Sequence, residues 1–323
     1  MDVGGLGEHV WGMRSSLFGL AVALVALASC DDPAPTTAQD EPSNALGLPT
    51  PERFATEHTD FSGYWHQGVA ELSRYRLRQA RYGETHDGEA VLVFVTEPFL
   101  PGAQVKHEHG EHPDAIEVLK LNAHRRFYTG IYPYSVLTST FSPTSGDAAL
   151  KVSTSVQEWC GHAYTQLNRR DDQIQLVQHS YFQDEADAER AFDEAPFEDA
   201  VMATLRRDPS DAPTGELSMV PALHHLRFVH RPVQAYRAEA SRSTVEDDRF
   251  GGRVGRYRVR YPELDRTVEI FYGLAHPHVI HGWVEDGSAG RTEAVRTDAI
   301  LTDYWSHHGA SDGAYREALG LTM

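Results

Sequence analysis

The chain has 323 residues, with 29 Lys and Arg against 47 Asp and Glu, a formal net charge of −18 and two cysteines, Cys30 and Cys160. So acidic a chain as a whole repels the phosphates of nucleic acid and of anionic lipid surfaces, which argues against nucleic acid and against electrostatic docking on anionic lipid. If Cys30 is lipidated, as the N-terminus indicates, no intramolecular disulfide remains and the core alone must stabilise the fold.

Residues 17–28 (LFGLAVALVALA) form an apolar run too short for a comfortable permanent span, preceded by Arg14 and followed by Leu27-Ala28-Ser29-Cys30. A basic start, a short apolar centre and small residues at the cut define a secretory signal. The last four residues also fit a lipobox, in which the cysteine thiol takes a diacylglyceryl group with palmitate-type chains and becomes the mature N-terminus. Met13 makes a more usual start for such a signal than Met1. Next come Pro33, Pro35, Pro42, Pro49 and Pro51, spaced among polar residues. That composition buries too little apolar surface to offset its ordering entropy. The expected organisation is a signal peptide over 1–29, a lipidated cysteine and disordered tether over 30–60, and a β-rich body over 61–323. The body would lie in the cell envelope, facing the periplasm or the exterior, with the membrane as partner through Cys30. Asp31 and Asp32 favour inner-membrane retention under the enteric sorting rule. No later segment is apolar enough to span a membrane as a helix.

The body alternates apolar and polar residues with period two, the mark of half-buried strands. In chain order, strands are predicted near 70–82, 90–95 (AVLVFV, apolar on both faces and suited to a central position), 117–122, 133–141 and 150–156. Further strands follow near 173–182, 233–240, 256–261, 268–272, 278–285 and 293–301. Residues 184–195 read as helix or loop. A helix is predicted over 197–207, where Phe197, Val201, Thr204 and Leu205 share a face and Pro209 stops the run. A second short helix is predicted over 312–319. Pro209, Pro213 and Gly215 mark a boundary near 208–216 between two strand-rich halves. The expected fold is mainly β: an antiparallel curved sheet, half-barrel or barrel with one or two short helices.

Arg74, Arg76 and Arg78, and again Arg256, Arg258 and Arg260, alternate along strands and so project from one face. They offer an anion-binding face or, the better reading, the solvated side of a sheet paired with carboxylates. His107, His109 and His112 provide imidazoles at loop spacing for a metal, with no distant partner motif to complete a ligand set. Glu158, Cys160 and His162 share a face if 157–162 is extended, and carboxylate, thiol and imidazole are the parts of thiol catalysis. Against this, Val152, Val156 and Trp159 surround Cys160 with apolar neighbours, which predicts a packed, protonated and slowly reacting cysteine. Tyr132, Tyr134 and Trp159 are candidate ligand-binding aromatics, set in a bend rich in Gly and Pro.

Several strings carry a resemblance: residues 79–84 (QARYGE), 88–106 (GEAVLVFVTEPFLPGAQVK), 129–143 (TGIYPYSVLTSTFSP), 151–168 (KVSTSVQEWCGHAYTQLN), 180–182 (SYF) and 261–267 (YPELDRT). Together they resemble a family of uncharacterised bacterial envelope proteins that often carry the label "septum formation inhibitor Maf". That label implies a cytoplasmic nucleotide pyrophosphatase of α/β fold, whose Leu-Ala-Ser opening leads into a double-arginine phosphate loop. Here Leu27-Ala28-Ser29 is followed by Cys30-Asp31-Asp32-Pro33, which would repel phosphate, so the label is disfavoured. Two function classes remain. The first is a non-enzymatic lipoprotein binding a lipid, a glycan or a protein partner, similar by fold analogy to LolA/LolB-type carriers. The second is an envelope hydrolase or transferase using Cys160 and His162. No cofactor is called for.

Overall fold

The computed structural model describes residues 46–321, so the expected signal sequence and the expected lipidation site at Cys30 lie outside the described residues. The strands are β1 (Ala70–Arg81), β2 (Glu84–Leu100), β3 (Val105–Lys106), β4 (Ile116–Thr129), β5 (Tyr132–Pro143), β6 (Lys151–Glu158), β7 (Gly161–Arg170) and β8 (Gln173–Ser180). They continue with β9 (Ala188–Asp193), β10 (Gly215–Met219), β11 (Tyr236–Asp247), β12 (Gly252–Tyr261), β13 (Arg266–Tyr272), β14 (Ile280–Gly287) and β15 (Gly290–Thr302). Five short helices interrupt them: α1 (Pro51–Ala55), α2 (Phe61–Trp65), α3 (Val201–Arg207), α4 (Leu223–Phe228) and α5 (Gly313–Ala318).

All these strands join one antiparallel sheet in the order β10-β11-β12-β13-β14-β15-β1-β2-β4-β5-β6-β7-β8-β9, with β3 hanging on β2. Neighbours in space are neighbours in sequence except where β2 pairs with β4, past the short β3, and where β15 pairs with β1; the two edges, β9 and β10, are themselves consecutive. The mainly β, antiparallel expectation therefore holds, as a curved sheet left open at one seam. The boundary expected near 208–216 falls at that seam, within one continuous sheet. At one point the seam is bridged, where the Glu198 amide donates to Val220 O and the Val220 amide to Pro196 O, both at 2.9 Å. No βαβ unit occurs among the described residues.

The alternation in β1 shows how the sequence builds the wall. Glu71, Ser73, Tyr75, Leu77 and Gln79 are buried inside, while Arg74, Arg76 and Arg78 point outward. Outside, Arg74 meets Asp298 at 3.3 Å, Arg256 meets Glu269 at 3.1 Å and Arg260 meets Glu239 at 3.5 Å. Arg74, Arg256, Arg258 and Arg260 are thus paired with carboxylates on a partly solvated face, where each pair is worth at most about 1 kcal/mol, and Arg76 and Arg78 are exposed on it.

Inside the curve the helices fill the space that a carrier would keep empty. Tyr64 and Trp65 of α2, Val201 and Leu205 of α3, and Leu223 and Leu226 of α4 join one apolar cluster with the inner faces of the strands. Buried ion pairs are set into it. Arg206 donates to both carboxylate oxygens of Glu71 and lies against the Trp65 and Phe94 rings, 5.1 and 5.2 Å from their centroids. Arg266 clamps Glu198 at 2.5 and 2.8 Å and reaches Glu285 at 3.0 Å, and Arg125 meets Glu285 at 2.8 Å. The interior spaces lined by Trp283, His224 and Asp199 and by His225, Phe228 and Thr292 measure only ≈ 50 and ≈ 30 Å³. Such volumes hold a few waters and fall far short of a ligand pocket of roughly 300 Å³ or more.

Two expectations need correction. Residues 46–60 belong to the body, not to the tether: Pro51 is buried, the Phe54 ring lies 5.4 Å from Tyr64, and Pro49 O accepts the Leu301 amide at 2.9 Å. The polar, proline-rich average of 30–60 concealed these few anchoring residues. Residues 184–195 contain the edge strand β9, where helix or loop was expected.

Candidate functional site

Hairpin turns of a meander collect at its two ends. At one end lie the β1–β2 turn with Tyr82, the β4–β5 turn with Ile131, the β6–β7 turn with Trp159 and Cys160, and Tyr181 just beyond β8. Tyr82 is 59 % exposed, Trp159 68 %, Tyr181 78 % and Ile131 81 %, a concentration of exposed apolar side chains on one rim. Isolated surface apolar residues are ordinary, whereas a contiguous set calls for an explanation.

Behind the tips the aromatics are locked. Phe127 and Tyr134 stack with centroids 4.8 Å apart, and Phe228 of α4 meets Tyr134 edge-on at 5.7 Å. Tyr132 stacks on Trp159 at 6.1 Å. Arg81 sits 4.3 Å from the Tyr82 ring centroid and 4.8 Å from that of Phe228. Its guanidinium donates to Phe228 O at 2.6 Å and to the Tyr82 and Tyr134 hydroxyls at 3.3 and 3.4 Å. The Tyr82 and Tyr134 hydroxyls lie 2.8 Å apart, and Tyr132 donates to Tyr82 at 3.4 Å. Burial opposes ionisation of Tyr82, yet the hydrogen bonds from Tyr132 and Tyr134, with Arg81, bring its hydroxyl below the ordinary value. Tyr82 and Gly83 both have left-handed backbones, at φ +56° and +78°. In a two-residue hairpin such a tyrosine is a strained choice that the surrounding bonds must hold.

The β6–β7 hairpin corrects the thiol reading. Residues 157–162 are not one extended stretch: Glu158 pairs with Gly161 across a two-residue turn made of Trp159 and Cys160. Cys160 is therefore exposed, contrary to the packed cysteine expected from its apolar neighbours. Val152 and Val156 belong to the inner face of β6, and the turn carries Cys160 away from them. His162 is exposed on β7, and the groups acting on the thiol are Glu158, Tyr132 and Arg227. A hydrogen bond to Glu158, with some burial, raises the thiol pKa. This is the reverse of what a nucleophilic thiolate needs. The buried Glu158 carboxylate accepts the Cys160 amide at 2.6 Å and faces Arg227 at 3.7 Å. Arg227 also pairs with Glu185 at 3.5 Å and packs 3.6 Å from the Phe182 ring centroid. Gly161 is required here, since a Cβ would lie 2.8 Å from Tyr181.

The structure thus brings together Tyr132, Tyr134, Trp159, Glu158 and Cys160, and leaves His162 outside the set. The histidine loop does not converge: His107 Nε2 lies 2.8 Å from Gly110 O, and the Asp114 amide donates to His112 Nδ1 at 3.2 Å. His109 is exposed, and no group of three or more metal-ligating side chains occurs among the described residues. Sequence reasoning missed Tyr82, Arg81, Arg227 and Phe228. Tyr82-Gly83 between two alternating runs was a readable hairpin signal, but nothing local marked Arg227 or Phe228.

No protein-family model matches the chain, and no curated protein matches it. Among solved structures it is similar to a β-barrel-like protein of Domain of Unknown Function DUF1849 from Brucella abortus. That likeness covers 73 % of this chain and 98 % of the other, at 11 % identity and a TM-score of 0.45.

Proposed function

We propose that this chain is a lipid-anchored protein of the bacterial cell envelope that acts by binding rather than by catalysis, and that the aromatic rim is its binding face for a protein partner. The observation that carries the reading is the set of exposed tips Tyr82, Ile131, Trp159 and Tyr181, backed by immobilised rings and a filled interior. Rigid tyrosine and tryptophan side chains on hairpin tips supply contact area at small entropic cost, and Trp, Tyr and Arg dominate the energetics of protein interfaces. If Cys30 carries the lipid, as the lipobox suggests, the described chain enters the body at the end of β1 away from the rim. Residues 46–50 join the sheet at Leu301, which lies opposite Glu71. From Glu71 to Arg81 the strand runs about 33 Å at the usual rise. The rim then points away from the anchoring bilayer, toward partners in the envelope space.

The test places a photo-reactive amino acid at Trp159, at Tyr181 and, as control, at Arg258 on the charged outer face. We expect the two rim positions to crosslink to one discrete protein and the control to none. The purified partner should bind Trp159→Ala/Tyr181→Ala at least about 30-fold more weakly, with the urea midpoint unchanged. Equal crosslinking from rim and control would sink the reading. Saturable, Trp159-dependent binding of an envelope glycan would replace the protein partner with a sugar.

A further inference from the structure

On the outer wall, Leu72 and Ile300 stand directly opposite one another across β1 and β15. Farther along β1 the same face carries Arg74, Arg76 and Arg78, so this apolar pair departs from the charged pattern of its wall. The segment after β15 folds back over it without filling the space. Tyr304, Tyr315, Leu319 and Leu321 complete a cleft of ≈ 410 Å³, a size typical of ligand sites. Its wall is firm, because His307 stacks on Tyr315 at 3.8 Å and bonds Asp303 at 3.0 Å. The exposed side chains of His308 and Arg316 also line it.

We propose that this cleft takes one acyl chain of a phospholipid from the anchoring membrane, with the phosphate held at the His308 and Arg316 side. The argument for that occupant is position. The Leu301 amide, between cleft residues Ile300 and Thr302, holds Pro49 O at 2.9 Å. The chain that lies outside the structure therefore joins the body beside the cleft. Leu46 follows Cys30 by only sixteen positions, which bounds how far this end can lie from an anchoring bilayer. The inference rests on the lipid-anchor reading for its source of lipid, and on the cleft itself for its chemistry.

The chain from Pro42 to Met323, which forms one compact unit with all the described elements, is titrated calorimetrically with dodecanoyl lysophosphatidylglycerol below its micelle concentration. We expect saturable binding of one molecule per chain. Leu72→Glu and Leu321→Glu should each weaken it about tenfold or more, since a buried apolar contact is replaced by a charge. Trp159→Ala should leave it unchanged. Leu72 and Leu321 are only partly buried, so the urea midpoints should stay near the wild-type value, and Tyr315→Ala provides a neutral second test of the wall. Absence of saturable heat, or binding that all three cleft variants preserve, would overturn the cleft whatever the state of Cys30. The mass of the membrane-extracted full chain reports on Cys30 separately. An unlipidated Cys30 with intact binding would overturn the anchoring membrane as the source.

Discussion

The claim that the sheet is filled rather than hollow is tested most sharply at Glu71 and Arg206. Their side chains are 1 % and 0 % exposed, and the Tyr64 hydroxyl also donates to the same carboxylate. Solvent screening therefore offers no relief if one partner is lost. Glu71→Gln keeps the shape and one acceptor oxygen but leaves the Arg206 charge buried without its counter-ion. Breaking a buried pair in this way costs about 3–5 kcal/mol. For a body of this size that corresponds to a fall in Tm of roughly 6–20 °C. Arg206→Met should cost a similar amount, because it strands the Glu71 carboxylate. The double variant Glu71→Gln/Arg206→Met removes both charges and should recover most of the loss, giving a coupling energy of about 2 kcal/mol or more. Urea unfolding followed by tryptophan fluorescence, with all four proteins at one pH and ionic strength, measures the cycle. Single variants that each cost under about 1 kcal/mol and simply add would show that water reaches this pair. The filled interior, and with it the placing of ligands on the surface, would then be wrong.

Two further outcomes follow from the charges. Burial, with Glu198 nearby, raises the Asp199 carboxyl pKa from 3.8 to about 7, against the lowering influence of the Leu223 amide, Arg125 and Arg266. The folded state thus keeps a proton that the unfolded chain releases between about pH 4 and 7, so this group's contribution to stability falls as pH rises through that window. Asp199→Asn should gain on the wild type from pH 5 to pH 8; since Asp199 retains some solvent contact, the gain is scaled to roughly 1–2 kcal/mol. His225 and His281, lowered to about 3 and about 4, are common to both proteins and cancel in the difference; a flat difference across urea curves at several pH values would refute the assignment. At Cys160, an alkylating reagent should modify the native protein completely without denaturant, with a rate profile displaced to alkaline pH, and Glu158→Gln should shift that profile back toward acid. A native profile already displaced to acid would restore the thiol enzyme.

Period-two alternation made most of the walls legible, because one face meets the core and the other meets water all along β1, β6, β12 and β13. The helix over 197–207 was legible from its apolar spacing and its proline stop; the structure has a 3₁₀ turn at Glu198–Ala200 and α3 over Val201–Arg207. What fills the sheet was not legible. Glu71, Glu198, Arg206 and Arg266 look like surface charges locally, and only the long-range clamps reveal them as interior. The same limit applied to the site. Tyr132, Tyr134 and Trp159 stood out as aromatics near Gly and Pro. Arg81, Arg227 and Phe228 joined them only through packing of α4 against the hairpins. Cys160 was misread because its near neighbours in sequence describe a strand, while two residues of turn place the thiol outside it.

The filled interior also narrows where a partner can act. A sheet that does not close leaves two edges, and an open edge is the usual template for strand addition. Here β9 is short and carries Glu189, Arg190 and Asp193, while Arg190 is committed to Val233 O at 2.7 Å. Charge on a short edge strand opposes pairing with another chain. The other edge, β10, has only five residues, and the single Phe197–Val220 bridge crosses the seam just beyond it. Outside, Arg74, Arg256, Arg258 and Arg260 are paired with carboxylates, and inside the spaces admit only water. The hairpin tips and the cleft beneath the C-terminal segment both gather apolar surface that the described residues leave uncovered. They lie at opposite ends of β1. If Cys30 holds the tether end to a bilayer, lipid meets the cleft and the rim remains available to a partner at the same time. Lipid binding at the cleft and partner binding at the rim should then be independent, each measurable in a variant that lacks the other.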